Sequence, residues 1–226
     1  MGIMTLHARK KAVRELLSKR DLTGIRQWAS TERSPLRTLM SLTFDGDELI
    51  RWRAVEAIGP VAADQASLEI DRVREFLRRL LWLMNDESGG ISWLSPEMIG
   101  EVLRNVPVLI DEYAPLLPAF LHEEPFERGT HLAVWRVAGV RQGVFKGTTG
   151  QLARSLADAD PVIRAYAAAA VMSIDPSQAE QIRLKLNQDD AGFVRYDFES
   201  GQMRQFTVDG LISGLAKTGI DAGRAA

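Results

Sequence analysis

Residues 47–61 read DELIRWRAVEAIGPV, and 113 positions further on residues 160–174 read DPVIRAYAAAAVMSI. In the first copy Ile50, Ala54, Ala57, Ile58 and Val61 follow one another at steps of four, three, one and three, the spacing of an apolar stripe along one face of an α-helix. Ile163, Ala167, Ala170, Val171 and Ile174 keep the same steps in the second copy. Asp47 and Arg51 are matched by Asp160 and Arg164, so the polar start of the helix repeats together with its buried face. A pattern that returns in both its apolar and its polar members predicts a repeat protein built from helices.

The order Asp, two residues, aliphatic, Arg, then an Ala-rich amphipathic run resembles the HEAT repeat, in the short form also found in phycobilisome lyases. The resemblance implies an all-α fold, an α-solenoid in which antiparallel helix pairs stack into a right-handed superhelix. The residues agree with this independently, because small side chains such as Ala54, Ala57, Ala167 and Ala170 let helix axes approach closely, and alanine costs least to hold in a helix.

Composition narrows the classes. The chain of 226 residues is 46% hydrophobic and 26% charged, values of a globular protein with a core of ordinary size, and no run approaches the length of a membrane span. The opening MGIMTLHARKK is basic but lacks a following apolar segment, so an export leader is not expected. There is no cysteine, which removes disulfides, thiolate nucleophiles and Cys-ligated zinc and makes a cytoplasmic location the default. A formal net charge of -2 disfavours nucleic acid as a partner.

Along the chain, residues 7–19 and 23–30 read as a first, capping helix pair. Ser34 and Pro35 open the next helix, with Ser34 as N-cap and Pro35 at the first helical position, and residues 47–61 complete that pair. The Ser/Asp-Pro signal returns at Ser95-Pro96, Asp160-Pro161 and Asp175-Pro176. A weaker echo at an offset of 80 aligns Pro35, Leu36 and Gly59 with Pro115, Leu116 and Gly139. Residues 66–84 read as one long helix and 96–106 as the next. Five pairs with an irregular third are expected over residues 1–190. Residues 193–208, FVRYDFESGQMRQFTV, are β-rich around a turn at residues 199–202 and predict a hairpin, which with a closing helix makes a unit of residues 191–217 packed on the solenoid. Residues 218–226 are expected to be a flexible tail.

The most unusual segment is WLMNDESGGISWLSPE, residues 82–97. Asn85, Asp86, Glu87 and Ser88 cluster side-chain acceptors, and Gly89 and Gly90 permit close backbone approach. The run is similar to one in a group of bacterial HEAT-like proteins that has no assigned activity, so that resemblance transfers no catalytic residue. One reading is structural, with Trp82 and Trp93 plugging the loop onto the solenoid and Ser95, Pro96 and Glu97 opening the next helix. The functional reading is a site for a cationic or amide-bearing group formed by Trp82, Asn85, Asp86, Glu87, Ser88, Gly89, Gly90, Trp93 and Glu97.

Enzymatic alternatives find less support. Deoxyhypusine hydroxylases use similar repeats and hold iron with several His-Glu pairs, but only His122-Glu123 matches here. HEAT-like alkylpurine DNA glycosylases need a basic concave face, for which Arg51, Trp52, Arg53, Arg78, Arg79, Arg136 and Arg141 are the candidates; Arg51 and Arg164, however, are expected to pair with Asp47 and Asp160 four residues back. A lyase-like tetrapyrrole binder is the third option. The reading favoured by the sequence is a non-enzymatic protein-binding scaffold without cofactor or metal, its partner on the concave face beside the loop of residues 85–90, with the hairpin edge as a route to a homodimer.

Overall fold

The computed structural model describes residues 6–85 and 92–217. Twelve α-helices occur among them: α1 (Leu6–Ser18), α2 (Leu22–Thr31), α3 (Pro35–Leu42), α4 (Glu48–Leu68), α5 (Ile70–Met84), α6 (Ser95–Asn105), α7 (Ile110–Tyr113), α8 (Glu127–Ala138), α9 (Thr149–Ser155), α10 (Pro161–Ile174), α11 (Ala179–Leu186) and α12 (Val208–Lys217). Strands β1 (Gly192–Asp197) and β2 (Gln202–Thr207) lie between α11 and α12.

The helices alternate between two rows. In the first, α2, α4, α6, α8, α10 and α12 stand side by side, each packed on the next; in the second, α1, α3, α5, the α7 region, α9 with the 3-10 segment Gln142–Thr148, and α11 each cover a member of the first. The result is a helical repeat solenoid with a small antiparallel hairpin near its C-terminal end. Ile50 and Ile163 are 2% and 5% exposed, in first-row helices of the same stack.

The two copies of the repeat share their hydrogen bonds as well as their burial. Asp47 caps α4 by accepting from the Leu49 N–H at 2.9 Å, and Asp160 caps α10 by accepting from Val162 at 2.9 Å. Two residues upstream, Asp45 and Asp158 accept from the backbone N–H groups of Asp47 and Asp160. Arg51 donates to the carbonyl of Asp45, and Arg164 to that of Asp158, the same six-residue return in each copy. This corrects the expected pairing with Asp47 and Asp160: the arginines fold back over the turn before the helix, and Arg164 also forms a two-pronged salt bridge with Asp189.

Burial runs further round these helices than one stripe. Seven consecutive residues of α4, Arg53 to Gly59, and ten of α10, Ala165 to Ile174, are buried, because a first-row helix has neighbours on both sides, a second-row helix beneath it and the hairpin above. Close approach within the row depends on small residues: a Cβ at Gly100 of α6 would stand 2.8 Å from the Ala133 Cα of α8. Three local expectations change. Helix α4 continues to Leu68 and the chain turns at Glu69, so residue 66 belongs to α4 rather than α5. The N-cap of α6 is Leu94, and Ser95 sits inside the helix with its hydroxyl buried and unbonded. In the weaker echo Val134, Val137 and Ala138 are buried, but Leu116 is exposed where Leu36 is buried, since residues 114–120 wind as a 3-10 helix.

The hairpin reverses through residues 198–201, with Asp197 opposite Gln202. Its base contacts α10 and α12, and its tip reaches the other end of the solenoid. There Arg20 donates to the carbonyls of Phe198 (2.6 Å) and Glu199 (3.0 Å) and to both oxygens of Glu56. Arg53 bridges the carbonyls of Leu17 and Ser18, at the end of α1, to that of Gly201. The Tyr196 hydroxyl donates to Glu56 at 2.5 Å while its ring stacks on Trp52. Gly201 has φ of +67°, and a Cβ there would run into Arg20, so the tip requires glycine twice over.

Candidate functional site

Between the hairpin and the amino-terminal ends of α4, α6, α8 and α10 lies a groove of about 790 Å³. Trp52 comes to it from α4, Trp93 and Glu97 from the start of α6, Gly129 from α8, Tyr166 from α10, and Val194, Arg195 and Met203 from the hairpin. The same arrangement in successive pairs brings these helix beginnings together along one side of the stack.

Glu97 is the unusual member. It is 7% exposed, and its Oε2 has no hydrogen-bond partner. Burial pushes its pKa up to about 8, opposed by its own backbone N–H, and among the described residues no arginine holds it ionised. The carboxyl group is seated on the backbone of Gly129, where a Cβ would come within 2.4 Å of Oε2. Glycine at 129 and glutamate at 97 are therefore fitted to each other.

Arg195 is the second. Its guanidinium is buried, with the rings of Trp135, Phe206 and Tyr166 at 5.0, 5.1 and 5.8 Å. Nε donates to the Tyr196 carbonyl, while Nη1 has no partner. Arg128, also in the groove, is already paired with Asp160, and Asp45 with Arg14.

Of the residues singled out in the sequence, Trp93 and Glu97 meet in this groove. Trp82 and Asn85 stand at the end of α5 and are not part of its lining; Asn85 ends that helix, its side chain donating to the Leu81 carbonyl at 2.8 Å. Asp86, Glu87, Ser88, Gly89 and Gly90 lie outside the described residues. Trp82 and Trp93 are 60% and 69% exposed, so neither is the buried plug of the structural reading. Tyr166, Arg195 and Gly129 carry no sequence signal of their own: Tyr166 and Gly129 sit in amphipathic helix patterns, and Arg195 in an alternating strand.

The basic residues that would have made a nucleic-acid face are used internally or dispersed. Arg53 and Arg51 bond backbone carbonyls, Arg136 is held by Glu101 with Phe198 stacked at 3.9 Å, and Arg141 pairs with Asp111. Arg79 lines a separate depression with Arg33, Arg37 and Arg72, against α3 and α5. His131 is fully buried, its ring nitrogens bonded to the Glu127 carbonyl and the Ser155 hydroxyl. Among the described residues no three His, Cys, Asp or Glu side chains are grouped to hold a metal ion, and no helix is long and apolar enough to cross a membrane.

No family model matches the chain. An uncharacterized protein of Archaeoglobus fulgidus is 29% identical over 90 residues, a match that covers 40% of this chain and 46% of that protein, less than half its length. Among solved structures, a designed armadillo repeat protein is similar at a TM-score of 0.46 with 19% identity, over 89% of this chain and 93% of the designed one. That likeness is too loose to carry functional weight.

Proposed function

We propose that the chain is a non-enzymatic scaffold of the HEAT-like kind, acting in a reducing compartment such as the cytoplasm, that takes an extended segment of a protein partner along the first row of helices. The observation that supports this reading is the groove itself, which crosses the beginnings of four successive helices and combines aromatic walls with polar groups that do not converge. Acid–base or nucleophilic catalysis needs titratable side chains within hydrogen-bond reach of one another. Among the described residues, Glu97 and Arg195 are bonded neither to each other nor to any third titratable side chain. Trp93 projects at the rim as an anchor for a partner, since exposed aromatics that become buried dominate interface energetics. Residues 85–90, with Asp86 and Glu87, are included in the proposed surface because only Ile91 separates them in sequence from Ser92 and Trp93.

The test is affinity capture quantified by mass spectrometry, with wild type, Trp93→Ala and Leu184→Ala as baits. Leu184 is as exposed as Trp93 but lies on α11, away from the groove. A protein retained by wild type and Leu184→Ala and depleted at least about tenfold by Trp93→Ala, roughly 1.4 kcal/mol of binding, supports the groove. Retention that is equal for all three baits, or absent for all, removes the reading.

A further inference from the structure

The polar requirements of the groove are incomplete in a way that specifies what should enter it. A carboxyl group buried without a partner is costly, and a native interior leaves few such groups unexplained. Glu97 is one: Oε2 is buried without a bond, and among the described residues no cation is placed to compensate it. Nor is the glutamate tolerated by looseness, because the Gly129 backbone is shaped around its carboxyl group.

We infer that Glu97 is the acceptor for a primary ammonium group, the side chain of a lysine in the bound partner segment, which enters past Trp93 and lays its alkyl stem along the apolar walls of the groove. This rests on the scaffold reading and deepens it. Three features select the ammonium. The groove that holds Glu97 is also lined by Trp52, Val162 and Tyr166, apolar surfaces that suit a run of methylenes, with the two aromatic faces able to meet a cation. Gly129 packs on the whole carboxyl group, a Cβ there standing 2.4 Å from Oε2 and 2.6 Å from Oε1, so the space left at the unbonded Oε2 suits a compact ammonium rather than the broad two-pronged edge of a guanidinium. At the hairpin wall, the unpartnered Nη1 of Arg195 is a donor for a backbone carbonyl of the same segment.

Pairing with ammonium requires ionised Glu97, so binding releases a proton below about pH 8 and tightens as pH rises toward that value, by up to tenfold per unit. Glu48, Arg51, Arg195 and the Arg128–Asp160 pair also face the groove. Arg14 holds the Asp45 carboxyl below the usual carboxylate range and burial pushes the Tyr166 hydroxyl up, so both move away from the interval between about pH 6 and about pH 8.

The experiment titrates the whole protein with Nα-acetyl-lysine methylamide and with its norleucine analogue, which keeps the stem and lacks the ammonium, following the indole N–H resonances of Trp52 and Trp93. The expected result is a saturable shift with the lysine compound, at least about tenfold weaker with the norleucine analogue and with Glu97→Gln, and stronger at about pH 8 than at about pH 6. Equal binding of the two compounds, undiminished binding by Glu97→Gln, or no saturable shift with the lysine compound overturns the inference. Trp93-dependent capture of a protein alongside any of those outcomes leaves the scaffold and removes only its lysine specificity, whereas loss of capture removes the scaffold itself. Gln at 97 is neutral and isosteric with the protonated carboxyl group, so the variant is expected to fold, which urea unfolding checks, and the norleucine comparison tests the inference on the wild type alone.

Discussion

Glu97 stores a measurable strain in the folded chain. Its pKa of about 8 lies above the value an exposed glutamate has in the unfolded chain, so the folded state holds its proton where the unfolded state has released it. Stability linked to this residue is complete at acid pH and is lost as pH rises through the interval ending near 8. Replacing Glu97 with Gln removes that loss. The difference in unfolding free energy between Glu97→Gln and wild type should widen by about 3 kcal/mol in favour of the variant from about pH 5 to about pH 8, as read from urea unfolding at each pH. A difference that stays constant with pH would show that Glu97 is ionised throughout. His131 works in the opposite direction, because burial lowers its pKa and costs stability as pH falls, and it cancels in the comparison of the two proteins. Arg20 is a second residue under strain: its φ of 52° lies in the left-handed region that favours glycine, and it is held there by its bonds to Glu56 and to the hairpin tip.

At the scale of the element, α4 and α10 are the same device used twice. Each begins with an Asp that accepts from the second N–H of its helix, and each is preceded by an arginine-bridged turn. Asp47→Ala and Asp160→Ala should each cost about 1 kcal/mol of stability in thermal or urea unfolding, the ordinary value of an N-cap, with Asp160→Ala the larger because Arg128 loses its partner too. Equal costs near zero would mean that water replaces both caps. The hairpin is stable for a different reason. An isolated pair of strands is marginal in water, but here Phe193, Arg195, Tyr196 and Asp197 of β1 are all buried against the helices.

For the whole molecule, the hairpin ties the two ends of the stack together. Tyr196 and Glu56 are 140 residues apart in the chain, and Arg53 and Gly201 are 148 apart. In a solenoid each unit ordinarily touches only its neighbours, so such a tie couples units that would otherwise open separately. Tyr196→Phe should lower global stability by about 1–2 kcal/mol and, in hydrogen exchange, raise the rates of the hairpin tip and the end of α1 together. Faster exchange at the tip alone would show that the tie does not couple the two ends.

The sequence by itself determined the helical repeat, the presence of a closing helix and the existence of the hairpin, because these rest on local rules: the spacing of apolar residues, a capping Asp, a Ser/Asp-Pro start, an alternating strand pattern around a turn. It also pointed to Trp93 and Glu97, as members of an irregular segment. What it left open is what those residues meet. That Glu97 lies on Gly129, that Arg195 is enclosed by rings from α8, α10 and β2, and that the hairpin crosses the first row to reach Arg20 and Arg53 were decided by tertiary structure alone. The physical reason is separation along the chain. A burial stripe or a cap is written within one helical turn, whereas a groove is made of side chains from four helices and a hairpin, whose proximity follows only once the stack has closed.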